Sequence, residues 1–275
     1  MSWGKKNISV FLSVGGFSKT YSGLPTECSI TKTGGLGGQA IVKIYGMSIS
    51  DMDRLTIVPF NYPVQMDGRV EVKASYKGGM SMAFVGDIRT AWADFSGSPE
   101  TAFVVNADMT ARLSTVSESP MSFKQGEVTS AEIMAMLAKN NGLNFKNEGV
   151  TGATNAITVS GDPLYKMHKI GEANGFNFSI DNDTLTIFPK DGDTGGIAFV
   201  NSDDDMLGYP QFTLRGIQGR CLFNPLMEVG GTVTINSVIP RASGTWRLGL
   251  VTHTLTANTT YEGPWETGFE ADFMG

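Results

Sequence analysis

Apolar and polar residues alternate along much of this chain, and the places where the alternation breaks divide it into parts. Residues 8–14 (ISVFLSV), 26–33 (TECSITKT) and 39–46 (QAIVKIYG) read as strands, with turns at Gly15-Gly16 and through the glycine-rich 34–38. The run 69–76 (RVEVKASY) alternates strictly, with Val70, Val72, Ala74 and Tyr76 on one face and Arg69, Glu71, Lys73 and Ser75 on the other. One face is therefore wet, and the sheet is not sandwiched between helices. Between these runs, 48–55 (SISDMDRL) predicts a short helical turn capped by Ser48 or Ser50, with early Asp residues suited to a helix N-terminus. Pro59 and Pro63 then prevent regular pairing, and 80–95 and 101–115 predict three or four further strands. The first hundred-odd residues predict an antiparallel barrel or sandwich carrying one small helix.

The middle changes period. Thr129 and Glu132 form a T-x-x-E capping box, followed by Ile133, Met134, Met136 and Leu137 at helical spacing and a stop at Asn140-Asn141-Gly142. Asp162-Pro163 opens a second helix, with Leu164, Met167 and Ile170 facing inward and a stop at Asn174-Gly175. Helices this short need neighbours to dock on. The candidates are strands at 156–159, 176–180 and 184–188, the last two joined by a turn at Asp181-Asn182-Asp183.

From 191 to 206 the chain is rich in Gly and Asp around one short apolar strand, 197–200, and reads as a linker and return path. Strands then return at 211–215, 219–223, 231–238, 245–256 and 265–273. The expected organisation is a first β module at 1–118, an α/β insert at 119–190, and a linker strand with a second β module at 191–275. The expected fold class is mainly β with an α/β insert (α+β).

Composition narrows the function. Thirty-four glycines in 275 residues exceed the usual share of about 7%, as many tight turns require. A net charge of −6 and no basic run argue against gripping nucleic acid by its phosphates, while like charge lets DNA slide past. The N-terminal apolar residues are too few and too interrupted for an export signal. No run reaches the ~18 apolar residues of a membrane-spanning helix.

Reactive groups are scarce. His168 and His253 are the only histidines, Cys28 and Cys221 the only cysteines, and none has metal-ligand spacing. All four read as structural. Asp191, Asp193 and Asp203, Asp204 and Asp205 offer calcium-type oxygens without EF-hand spacing, so a solvated acidic loop is expected. Glu118, Glu127, Glu132 and Glu148 flank the insert and raise a carboxylate-pair hydrolase as an alternative. Trp92, Trp246 and Trp265 raise a sugar-binding module, and the two-helix insert is similar to small wall-binding domains of βααβ type. No catalytic residue, cofactor or metal site is assigned.

One ordered set of short motifs remains. Ala40 to Met47 (AIVKIYGM) precedes a Ser/Asp-rich helical turn; Gly208-Tyr209-Pro210, Phe212-Thr213, Gly216 and Arg220 to Pro225 (RCLFNP) precede Gly230-Gly231 and a strand. With the two-helix insert and the strand from Trp246 to His253, this series resembles the tail hub (baseplate hub) proteins of tailed bacteriophages over most of the chain. The resemblance implies two tail-tube-like antiparallel β-barrels joined by the insert. It also implies a homotrimeric ring with pseudo-sixfold symmetry that joins a hexameric tail tube to a trimeric spike and surrounds the DNA channel. Implied partners are tail tube or distal tail proteins, a central spike, and a tape measure protein. DNA would pass through the lumen unbound, and the chain would reside in the virion tail after assembly in the host bacterial cytoplasm. On this view Ile49, Met52 and Leu55 of the small helix, and Leu222, Phe223, Asn224 and Pro225, are interface candidates. Leu222 and Phe223 anchor either the second β module or its junction with the next subunit, and ordinary core is the competing reading.

Overall fold

The computed structural model describes residues 6–35, 37–57 and 68–274, so Pro59 and Pro63 lie outside the described residues. The described residues are mainly β, with 52% of them in strands and few helices. The alternating runs become strands with alternating burial. β1 (Ile8–Val14) buries Ile8, Val10 and Leu12 and turns back into β2 (Phe17–Ser22), and β3 (Thr26–Thr33) pairs with β4 (Gly37–Tyr45). The short helix α1 (Ile49–Leu55) follows, then β5 (Gly68–Tyr76).

Residues 80–95 and 101–115 form two strands rather than three or four: β6 (Gly79–Asp94) and β7 (Ala102–Asp108). β6 changes partner at Asp87, pairing β5 before it and β7 after it, with register shifts at Val72/Lys73 and Ile88/Thr90. Bulges of this kind add bend and twist, which lets one long strand serve two neighbours. Gly86 sits at the bend, where a Cβ would lie 2.8 Å from the Phe84 ring and 3.0 Å from the Asp108 carbonyl carbon. After β7 the chain leaves the sheet in a 3-10 turn, Arg112–Ser114, because Leu113 packs into the insert.

The insert orders as β8 (Glu118–Phe123), α2 (Ser130–Asn140), β9 (Asn144–Asn147), β10 (Ile157–Gly161), α3 (Pro163–Asn174), β11 (Phe176–Asp181) and β12 (Thr184–Pro189). Both ends of the Thr129–Glu132 capping box are made, and Asp162 caps α3 with Pro163 in its first turn and Gly175 left-handed (φ 73°) at its end. Asn182 and Asp183 both have positive φ, as a two-residue turn of the type I′ kind needs.

The last part comprises β13 (Ile197–Asn201), β14 (Gln211–Phe212), β15 (Gly216–Leu222), β16 (Thr232–Asn236), β17 (Gly244–Ala257) and β18 (Trp265–Phe273). The short apolar strand expected at 197–200 is β13, and it joins the sheet parallel to β16. Among the described residues no barrel closes: one sheet runs β14-β15-β18-β17-β3-β4-β7-β6-β5-β1-β2, with β16 and β13 branching from β17. The two β modules are therefore fused through β17. Its residues 244–247 pair with β16 and its residues 250–257 with β3. At ~3.3 Å per residue, fourteen residues reach ~46 Å, enough to cross both modules.

Three buried apolar clusters lie along this frame. One fills the N-terminal β module, one the insert and one the C-terminal part; Phe223, Leu255, Ala257 and Trp265 cross over into the first. The β11–β12 turn is fastened to the N-terminal module by ion pairs, Lys32 with Asp181 at 2.8 Å and Arg69 with Asp183, while Arg69 also holds Asp87 at 3.2 Å.

Candidate assembly surfaces

The segment 216–231 is a joint. Cys221 is buried in the C-terminal cluster, whereas Phe223, two residues on, is buried in the N-terminal one. Phe223 is 2% exposed and meets the rings of His253, Trp265 and Tyr76 edge-on at 5.2, 5.8 and 6.2 Å. Asn224 ends the strand: its Oδ1 accepts the Leu226 N–H at 3.1 Å and its own N–H donates to Thr267 Oγ1 at 3.0 Å. Further on, Gly230 has φ +85°, which favours glycine, and a Cβ there would press on the Phe188 ring and Thr194 Cγ2, each 3.0 Å away.

Helix α1 is pinned to the N-terminal module from both sides. Ser48 Oγ accepts the Asp51 N–H at 3.1 Å, Asp51 pairs with Lys19 on β2 at 2.7 Å, and the Arg54 guanidinium lies 3.8 Å over the Phe17 ring. The Lys19 hydrogen bond holds the Asp51 carboxyl below the usual carboxylate range. Met52 and Leu55 are buried beneath, while Ile49 points outward at 73% exposure. Of the seven interface candidates, Met52, Leu55, Phe223 and Asn224 are thus used inside this chain. Ile49, Leu222 and Pro225 keep accessible surface.

The larger apolar surface lies elsewhere. Of the eighteen exposed large apolar side chains among the described residues, ten fall in 191–275 and two in the insert. β13 is paired on one side only, and its Ile197 and Phe199 point outward, Phe199 at 66% exposure. β14 ends the sheet beside exposed Phe212 and Leu214. Open sheet edges carrying apolar side chains attract further chains. The sequence predicts strands at 197–200 and 211–215, but not that they end the sheet; the run IAFV at 197–200, apolar on both faces beside a polar loop, is the available signal.

The chemistry-bearing residues are engaged locally. His253 is fully buried, with Nδ1 2.9 Å from Thr267 Oγ1; burial first, and then the Lys32 charge, holds it well below the ordinary histidine range. His168 Nε2 lies 3.1 Å from the Gly35 carbonyl, and its ring packs on Phe178. Cys28 and Cys221 are buried and unbridged, and burial pushes the Cys28 thiol up to about 12. Glu118 binds Lys166 and Asn141, Glu127 the Lys124 N–H, Glu132 its capping partner and Glu148 Lys146. Asp205 accepts the Asn201 N–H, and among the described residues no group of three or more His, Cys, Asp or Glu is placed to hold a metal. Trp246 and Trp265 are buried, and Trp92 is exposed. No helix among the described residues is long and apolar enough to cross a membrane.

Comparison with known proteins places this geometry. The family model described as Baseplate hub gp41 matches residues 8–260. No curated protein matches the sequence. The 43 kDa tail protein of prophage MuSo2 from Shewanella oneidensis is a similar structure, with a TM-score of 0.67, 12% identity and 97% of each chain covered. A tail protein from Neisseria meningitidis MC58 is similar at TM-score 0.62 and 10% identity over 96% of each chain. So is the E. coli c3393 protein, a type VI secretion component with structural similarity to T4 tail proteins gp27 and gp5 (TM-score 0.61, 12% identity, 95% of this chain and 76% of that one). At such identities it is the fold that is shared.

Proposed function

This chain belongs to the baseplate hub gp41 family, and from that premise we propose that it is the structural hub of a phage tail, assembling as a homotrimeric ring around the DNA channel. Each chain brings two tube-like β modules, 1–118 and 191–275, bridged by the insert 119–190, so that three chains present six similar units to a hexameric tail tube and threefold symmetry to a central spike. Closed rings of this kind repeat one heterologous contact until it shuts. Tail tube or distal tail proteins, the spike and a tape measure protein are the partners, and the work is assembly and passage without turnover.

The observation that carries this reading is the ten exposed large apolar side chains of 191–275, four of them on or beside its open strands β13 and β14, in a chain of a hub family. The three buried clusters support the three-part division, with the Phe223 joint fixing the two β modules to each other. The charge of −6 suits a lumen through which DNA slides.

The test is the mass of the purified chain in solution, together with the symmetry of its particles in electron micrographs, alone and mixed with its spike protein. Trimers with a central hole are expected. A chain that stays monomeric under both conditions overturns the proposal.

A further inference from the structure

A cleft of about 380 Å³ opens at the end of the N-terminal module, between Pro25, Tyr45, Glu27, Glu100 and the loop carrying Tyr261. Its charged lining residues are both acidic, and it contains no Lys, Arg, His, Asn or Gln. Glu27, half-buried on β3, accepts a hydrogen bond from the Tyr261 hydroxyl, with Tyr45 beside it in the lining. That bond pushes the Tyr261 phenol up to about 12, so its donor is already committed to the carboxylate. Thr259 likewise donates to the Tyr261 carbonyl at 2.7 Å. Glu100 is exposed, and among the described residues its carboxylate has no ion pair or hydrogen bond. Lys43 stands opposite Glu27 in the β3–β4 register, but it neither pairs with it nor lines the cleft.

What faces the cleft is two carboxylates, two phenol rings and the hydroxyls of Thr101 and Thr260, with no cationic side chain to balance the acids. An acidic lining with no cation of its own attracts a positive group over a neutral sugar, and the aromatic faces add to that attraction. A guanidinium is planar, carries five donors and engages carboxylates side-on, which an ammonium does not. We propose that this cleft binds an arginine side chain presented by a neighbouring protein of the tail. The identity of that neighbour rests on the hub reading; the arginine chemistry does not.

The test is a nuclear magnetic resonance titration of the full chain with the capped tripeptide Gly-Arg-Gly, read at the amides of Gly46, Thr101, Thr260 and Tyr261. Saturable shifts are expected with the arginine peptide and none with its neutral citrulline analogue. Glu100→Gln, on an exposed loop, should weaken binding by about tenfold or more, because hydrogen bonds to a charged group are lost. Tyr261→Phe, which keeps the ring, should retain most of it. Equal binding of the citrulline peptide, no saturation, or chitooligosaccharides shifting the same amides while the arginine peptide does not would each overturn the proposal. Ring formation is read separately, so a chain that binds the peptide yet never trimerises leaves this site standing and removes the hub.

Discussion

The insert and the C-terminal stretch differ in what they leave outside. Residues 119–190 expose two large apolar side chains, Met136 and Tyr165, whereas 191–275 expose ten. The insert caps both its helices and pairs its one fully buried ammonium, Lys166, with Glu118 at 3.0 Å and the Ser119 carbonyl at 2.8 Å. The C-terminal stretch leaves β13 and β14 unpaired on one side, with Phe199 and Phe212 outward. One surface is finished within the chain. The other has the form of a contact awaiting its second half.

The strongest way to break the comparison is at the joint. Phe223→Ala should cost about 3–5 kcal/mol, the usual loss for a buried aromatic with little room to relax, because it empties a site shared by Tyr76, His253 and Trp265. Urea unfolding followed by tryptophan fluorescence reads it. A loss below about 1 kcal/mol would mean that the two β modules do not depend on this ring.

Inside the insert the matching experiment is Glu118→Ala. It strands a fully buried ammonium beside one carbonyl and should cost about 3 kcal/mol, whereas Lys166→Met, which removes the charge itself, should be close to neutral. Equal costs for the two variants would show that packing rather than charge governs the site.

That pair also marks what the sequence could disclose. Both helices of the insert were legible to within a residue because their signals are local: Thr129 with Glu132, Asp162 with Pro163, Gly175 at the end. Lys166 was not, since nothing nearby says that a lysine on an amphipathic helix turns inward to meet Glu118, forty-eight residues earlier. β2, β8 and β9 were missed for a related reason. FSKTYS, ESPMSF and NFKN alternate weakly, and pairing rather than burial makes them strands. The fusion through β17 does have a local mark: its alternation slips between Leu248 and Val251, at a register shift against β18, and there its partner changes from β16 to β3. Such a slip reads in the sequence as a bulge and does not name the new partner. Among the interface candidates, which the resemblance implies, Met52, Leu55 and Phe223 fill the N-terminal cluster, and no local pattern says whose core an apolar side chain enters. The cleft of Tyr45, Glu27 and Tyr261 joins residues 234 apart and left no local trace.

Acid should act on the C-terminal stretch through His253. Its folded value is depressed by burial and by Lys32, so below ~pH 6.5 the unfolded chain binds a proton that the native one refuses. Its contribution to stability is therefore complete above that value and declines as pH falls, by up to ~1.4 kcal/mol per pH unit. Unfolding at about pH 7.5 and about pH 5.5 should differ by ~1–2 kcal/mol, and His253→Gln should flatten that difference. A variant with the wild-type slope would place the acid sensitivity elsewhere.

The smallest effect on folding is expected where the comparison began. Phe199→Ser on β13 and Phe212→Ser on β14 remove exposed rings that belong to none of the three buried clusters, so each should change stability by no more than ~0.5 kcal/mol. If these edges are the unfinished half of a contact, the same variants should shift the chain from assembled to monomeric, as seen by light scattering at fixed concentration. Met136→Ser on the insert, also exposed, supplies the control and should leave assembly unchanged. Loss of assembly with Met136→Ser, or its survival in the Phe199→Ser and Phe212→Ser double variant, would move the contact off the sheet edges. The contrast between the two surfaces would then be one of composition without consequence for how copies meet.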